Sequence, residues 1–421
     1  MVLIKSKEQK KLLTNVISLF VLQGSNYIIP LLSIPYLFQK LDVEKFGLVN
    51  FSFAFIQYFI VLTDFGYNLS ATKSIAEHRD DMAKTQQIFN GVIGAKLFLF
   101  LIGLMVLLAL VLLVPGFSSN KAIYFISYGM VLGSVLFPIW FFQGMEKMKL
   151  ITWLSISLKL IAILPLFFLV KSSADYLYVP ILNSMAWLAC GFASLYLIKK
   201  DFGIVPGLAS FTEIKKSLKQ SGPFFLSRVS VSLYTTSNVI ALGLFSGNIS
   251  VGYYSAAEKL FQALQNAYSP INSSLYPFMT KNRDLKLFKK VFSLAVIFNT
   301  ILACGLLFFS HDIITLFYKQ NSIESEHVFQ LLLIACLVIV PSVMLGYPFL
   351  AALGFSNFTN KTVIGPSILH LVGLVVLITT HSFNIYTVAG MVIVTESLVL
   401  ISRVYGVFRF KLFNMKPGSV S

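Results

Sequence analysis

Eight ionisable residues lie inside long apolar runs of this chain: Asp64, Lys96, Lys159, Arg228, Glu258, Lys259, Glu396 and Arg403. Each would cost a few kcal/mol if it faced hydrocarbon, so each needs a partner, a polar cavity or a path to the membrane surface. Five are cations and three are anions, a balance that suits an anionic ligand. Arg228 leads the binding candidates, because a guanidinium can grip a phosphate with two parallel hydrogen bonds. Lys259 is the second. Lys96 and Lys159 either add to the same positive field or snorkel to the surface. Asp64 and Glu258 are the groups able to carry a proton or hold a cation for ion coupling, and Asp64, near a helix end, suits a structural role equally well. Glu396 and Arg403 are seven apart on one helical face and read as a structural pair joined through an intermediary.

Uncharged polar residues fall into stripes. Asn50, Gln57 and Asp64 recur every seven residues and so share a face. Gln23 and Asn26 line another helix, and Gln262 and Asn266 thicken a third. Such faces point either at a water-filled cavity or at each other across helix contacts. Nothing in the chain resembles a catalytic centre. There is no G-x-x-x-x-G-K phosphate loop, no H-E-x-x-H and no serine nucleophile elbow. The five histidines are scattered and mostly in or near loops. Cys190, Cys304 and Cys336 lie in apolar runs without metal-ligand spacing and read as small core residues. No cofactor or metal is expected.

These residues need elements to hold them, and the composition says which kind. Of 421 residues, 57% are hydrophobic and only 12% charged, about half the charge of a soluble domain. The expectation is an all-α membrane protein of about 12 transmembrane helices. The spans are placed at 14–38, 47–65, 88–114, 123–143, 151–170 and 177–198 in the first half. In the second they are placed at 224–245, 251–275, 291–309, 328–350, 363–379 and 388–408. Lys5, Lys7, Lys10 and Lys11 precede a run too long for a cleavable leader, which reads as the first span. The net charge of +16 does not indicate a nucleic-acid partner, because the cations lie in short segments between spans. With both termini cytoplasmic, 23 of the 33 Lys and Arg fall on the cytoplasmic side, 5 on the other and 5 within spans, in accord with the positive-inside rule. The longest external loop is 310–327.

An offset of 205 residues relates Gly47 to Gly252 and Gln57 to Gln262. Six spans separate the copies, so both halves enter the membrane the same way round, as parallel repeats about an axis along the membrane normal. The expected organisation is an N-terminal six-helix bundle (1–200), a cytoplasmic linker (201–220) and a C-terminal six-helix bundle (221–421).

Two blocks add a resemblance. The stretch from Leu22 to Asp81, LQGSNYIIPLLSIPYLFQKLDVEKFGLVNFSFAFIQ and onward, resembles the N-terminal region of Wzx-type O-antigen flippases. Ser221 to Met279, beginning SGPFFLSRVSVSLYTTSNVIALGLFSGN, resembles the start of that family's second half. The resemblance implies the polysaccharide transporter branch of the multidrug/oligosaccharidyl-lipid/polysaccharide exporter superfamily, with two six-helix bundles around a central cavity. It implies a substrate, an undecaprenyl-diphosphate-linked oligosaccharide, carried across the bacterial inner membrane from the cytoplasmic to the periplasmic leaflet. Cationic cavity residues would receive it, here Arg228, Lys259, Lys96 and Lys159. A polysaccharide polymerase and a chain-length regulator would be its protein partners. A drug/cation antiporter of related fold would want an acidic or aromatic cavity, against the excess of Lys and Arg. A membrane enzyme of polysaccharide assembly would want paired acid and base groups and larger external loops.

Overall fold

The computed structural model describes residues 7–318 and 322–412, and within them the side chains of 7–31, 223, 226–228, 230–235, 270 and 273 are outside the described set. The described residues are helical, with no strand. Nine helices among them are long and apolar enough to cross a membrane. The expected first and second spans lie in one helix, Lys7–Asp64, broken at Asp42, where φ is 59° and ψ is 169°. The expected seventh span lies in Phe211–Phe245. The eighth, expected as a single run over 251–275, is two helices, Gly247–Ala267 and Ser269–Asn282, the second opening on a proline. Proline has no amide hydrogen and is tolerated in a first turn, so it marks a new start rather than continuing the helix. The expected loop 310–327 is also largely helical, holding Ser310–Tyr318 and the start of Ile323–Leu345.

The chain divides into two compact units. One contains Val49–Ser232; the other contains Ile34–Leu48 and the chain from Leu233 onward. The expected linker, 201–220, packs within the first.

In the first unit, helices Lys121–Leu136 and Tyr178–Phe202 meet over small residues. A Cβ on Gly129 would lie 2.9 Å from Ser184 Cβ, and one on Gly191 2.7 Å from Leu136 Cβ. Ser184 and Ser194 donate across the same contact to the carbonyls of Ile126 (2.6 Å) and Leu136 (2.9 Å). Lipid offers no hydrophobic drive for helices to associate, so close backbone approach and such bonds hold them together. Phe89, Trp140, Phe141 and Phe142 are fully buried beside Tyr67 and Ile75.

The second unit centres on helix Ile323–Leu345, packed on Gly247–Ala267 and Ile385–Arg409. Asn299 Nδ2 donates to Cys336 O at 3.1 Å, and Tyr318 Oη to Ala256 O at 2.7 Å. Helix Ile323–Leu345 ends in a π-helical stretch, Gly346–Ala351, containing Pro348. Phe298, Ile301 and Phe308 project outward from Leu285–Phe308, as lipid-facing side chains do, and Cys304 is exposed among them rather than in a core.

Candidate functional site

The expected site residues divide between the two units. In the first, Asn50 and Asp64 are half-buried and Gln57 is exposed on helix Lys7–Asp64. Asp64 closes that helix. Phe65 and Gly66 then take φ of 42° and 79°, and Asn68 Nδ2 donates to Asp64 Oδ1 at 2.7 Å. A Cβ on Gly66 would lie 2.7 Å from Phe224 Cβ, so both its φ and its surroundings demand glycine. Lys96 is only 4% exposed, and its Nζ donates to Ser134 O at 3.2 Å. It is held between helices Met82–Leu113 and Lys121–Leu136, within electrostatic range of Asp64. Lys159 is half-buried on Met148–Ile163. The side chains of Gln23, Asn26 and Arg228 lie outside the described residues.

In the second unit, Glu258, Lys259 and Gln262 are half-buried and Asn266 is exposed, all on Gly247–Ala267. A cavity of about 120 Å³ brings Glu258 and Gln262 together with Asn238, Tyr254, Gln265 and Glu396. Lys259 and Asn266 do not line it. The sequence reading joined Glu396 to Arg403 through an intermediary; Glu396 also shares this cavity with Glu258, across 138 residues of chain. Arg403 is 5% exposed, within electrostatic range of Glu396. Its guanidinium spends its hydrogen bonds elsewhere: Nη1 donates to Ser342 O (2.6 Å) and Oγ (3.2 Å), and Nε to Thr362 Oγ1 (3.3 Å).

A chain of hydrogen bonds runs inward from the cavity wall, and sequence reasoning missed it. Asn238 Nδ2 lies 3.0 Å from Tyr254 Oη, and Asn238 Oδ1 lies 2.9 Å from His370 Nε2. His370 Nδ1 is 2.8 Å from Thr395 Oγ1, which donates to Met391 O at 2.7 Å. His370, inside the span expected at 363–379, is fully buried in the middle of helix Ser356–Thr379. Thr395 spends its proton on a carbonyl, so it accepts from Nδ1–H. With Nδ1 protonated, a neutral ring leaves Nε2 as an acceptor, which the Asn238 amide satisfies with its NH₂ while its oxygen takes the Tyr254 hydroxyl proton. A lone buried histidine in a predicted span was the sequence signal.

The segment joining the bundles is bound to the first unit. Gln86 Nε2 donates to Val205 O (2.6 Å) while its Oε1 accepts from Val205 N (3.1 Å), and Asn90 Oδ1 accepts from Gly207 N (3.0 Å). Helix Phe211–Phe245 then starts in a capping box written in the sequence as S-F-T-E. Ser210 N donates to Glu213 Oε2 at 2.8 Å, Glu213 N to Ser210 Oγ at 3.3 Å, and Gln87 Nε2 to Glu213 Oε1 at 3.0 Å. The Ser210 amide, then Gln87 and the Ser210 hydroxyl, hold the Glu213 carboxyl below the usual glutamate range.

No cluster of three or more potential metal-ligating side chains occurs among the described residues. Two carboxylates lining a small polar cavity can exchange a proton or hold a cation, and the buried cations can set a positive field. That is the equipment of a transporter.

Comparison with known proteins bears on which one. Residues 12–283 match the family model described as "Polysaccharide biosynthesis protein". A protein of Escherichia coli (strain K12) named "Putative O-antigen transporter" is 39% identical over 264 residues, 62% of this chain. The match spans 63% of that relative's length. One of the same name from Shigella dysenteriae is 29% identical over 361 residues, covering 85% of this chain and 90% of that one. Among solved structures, "Lipid II flippase MurJ, inward closed conformation" matches with a TM-score of 0.75 at 13% identity over 95% of this chain and 89% of that one. An inward-facing multidrug resistance MATE family transporter of the MOP superfamily matches with 0.65 at 14% identity, over 92% and 96%. The last two show a shared fold.

Proposed function

The chain belongs to the polysaccharide biosynthesis protein family, and on that premise we propose that it is a flippase rather than an enzyme. It moves undecaprenyl-diphosphate-linked oligosaccharide repeat units of O-antigen or a related polysaccharide from the cytoplasmic to the periplasmic leaflet of the bacterial inner membrane. The observation that carries this reading is the family match over residues 12–283 together with relatives named as O-antigen transporters.

The head group is too polar to cross hydrocarbon unaided, whereas its polyprenyl tail is at home there. A transporter need only shelter the head, and alternating access of two helical bundles does so. In this reading Arg228 and Lys259 contact the diphosphate. Lys96, buried and bonded to a carbonyl, acts with Lys159 through the potential it creates rather than by touching substrate. Gln23, Asn26, Asn50, Gln57, Gln262 and Asn266 provide polar lining. Glu258, with Glu396 in the same cavity, couples transport to an ion. Asp64, bonded to Asn68 at a break between two helices, is assigned the structural share of its two possible roles. Both termini are cytoplasmic, by the distribution of Lys and Arg.

The test is deletion of the gene in its host, followed by assay of surface polymer and of lipid-linked repeat units in each leaflet. Loss of surface polymer with single units trapped in the inner leaflet is expected. Unpolymerised units accumulating in the outer leaflet would overturn the reading in favour of a polymerase or ligase.

A further inference from the structure

Away from the polar cavity, the first unit holds a pocket of about 260 Å³, open on one side. Its walls are helix Tyr67–Glu77, the first turns of Met82–Leu113 and the first turns of Phe211–Phe245. Two internal bonds set the wall that joins the first and last of these. Ser217 Oγ donates to Tyr67 Oη at 3.1 Å, and Ser70 Oγ pairs with Ser221 Oγ at 2.6 Å.

What lines the opening is rich in donors. Lys84 and Lys216 line the pocket from two different helices, joined by Ser74, His78 and Gln220. Lys84 Nζ uses one of its three donors on Gln87 Oε1 at 2.9 Å. His78 Nδ1 donates to Ser74 O at 2.9 Å, fixing the ring against its own helix. The carboxylate of the lining, Glu213, accepts from Ser210 and Gln87 and lies within electrostatic range of Lys84. Two ammonium groups against one committed carboxylate leave the pocket positive. Its size is just below the roughly 300–1,000 Å³ of small-molecule sites, enough for a head group and too small for an oligosaccharide.

We propose that this pocket binds a phosphoryl group, which bridges Lys84 on one wall and Lys216 on the other. Three non-bridging oxygens match several N–H and O–H donors converging from two helices. The phosphoryl is carried either by an anionic phospholipid of the adjacent leaflet or by a soluble phosphorylated molecule. In either case its binding ties the start of helix Phe211–Phe245 to Met82–Leu113, reinforcing the attachment that Gln86, Gln87 and Asn90 already provide. None of its lining residues is among those assigned to the transported lipid.

The experiment uses the full chain purified in an uncharged detergent. Thermal unfolding and native mass spectrometry are recorded with inorganic phosphate, with phosphatidylglycerol and with phosphatidylcholine. The paired variant Lys84→Met/Lys216→Met is compared with Lys199→Met/Lys200→Met, which removes equal charge from exposed positions on helix Tyr178–Phe202. Saturable stabilisation of the wild type and of the Lys199/Lys200 variant is expected. The pocket variant should lose roughly tenfold or more in affinity, the scale of one lost charge-assisted bond. Lys84→Arg/Lys216→Arg should retain binding, which separates loss of the site from loss of the fold. Response to phosphatidylglycerol alone identifies a lipid source; response to inorganic phosphate as well identifies a soluble one. Binding of neither, or equal loss in both methionine pairs, overturns the proposal.

Discussion

Gly47 and Gly252, the two glycines related by the 205-residue offset, pack against each other. A Cβ on Gly47 would lie 2.8 Å from the Gly252 amide nitrogen and would collide with Asn248 O; one on Gly252 would lie 2.7 Å from Val43 Cγ1. The start of the second half of helix Lys7–Asp64 and the first turns of Gly247–Ala267 therefore touch backbone to backbone. Gly47→Ala or Gly252→Ala should each lower stability by about 1–3 kcal/mol, the usual cost of overpacking, seen as a lower unfolding temperature in detergent. Gly390→Ala, where a Cβ meets nothing within 4 Å, should leave it unchanged. Equal behaviour of all three would show that the glycine contact is not tight.

Arg403 also holds a backbone in place. Its guanidinium packs on Gly346, where an added Cβ would lie 2.8 Å from Cζ, at the start of the π-helical stretch. Arg403→Met should cost about 2–3 kcal/mol, as expected when hydrogen bonds to a buried charge are lost and the Ser342 carbonyl is left without them. Arg403→Lys should recover only part, since an ammonium cannot serve Ser342 and Thr362 with a planar fork. Unfolding measurements in which Met and wild type coincide would refute this.

Glu258 and Glu396 share a cavity but no stretch of sequence. If Glu258 couples transport to an ion, Glu258→Gln should keep protein levels in the membrane and abolish the dependence of transport on an imposed proton or sodium gradient in reconstituted vesicles. Glu396→Gln should shift the ion dependence without removing it. Unaltered gradient dependence in both variants would take these carboxylates out of the coupling role.

His370 tests the hydrogen-bond chain behind that cavity. His370→Gln keeps a donor and an acceptor, and it should fold and retain transport. His370→Phe would leave Asn238 and Thr395 without their partner, at a cost of about 1–3 kcal/mol each. A Phe variant as stable as the wild type would show that the hydrogen-bond chain contributes nothing to stability.

Glu213 gives a pH dependence outside the membrane-spanning segments. Its folded-state carboxyl is held below the ordinary value of 4.5, so its capping is fully present above that value and is lost as pH falls through the lower folded one. Hydrogen exchange of the 210–214 amides, corrected for intrinsic rate, should be flat from neutral pH down to about 5 and rise only in more acid solution. Glu213→Gln should remove that acid step. An onset above the ordinary range would contradict the hydrogen bonds to Ser210 and Gln87.

Much of this molecule was legible in its residues. Membrane insertion depends on a sum over about 20 neighbouring residues, which is local, so the all-helical membrane class could be read directly. The resemblance carried by 22–81 and 221–279 agrees with the family match and with the shared transporter fold. The offset between Gly47 and Gly252 was also readable, because a backbone contact tolerates only glycine there. Boundaries failed where local chemistry is ambiguous: Tyr268 divides a helix that hydropathy joins, whereas the break at Asp42 falls inside the gap expected between the first two spans. Only the tertiary structure decided which polar groups meet. Glu396 could be assigned to Arg403 from spacing alone, because helical geometry speaks for one helix at a time. Its place beside Glu258, the Asn238–His370–Thr395 chain and the bond from Lys96 to Ser134 depend on how separate helices rotate and pack. That rotation is set by small-residue contacts and interhelical hydrogen bonds spread over the whole unit, and no single stretch of sequence contains it.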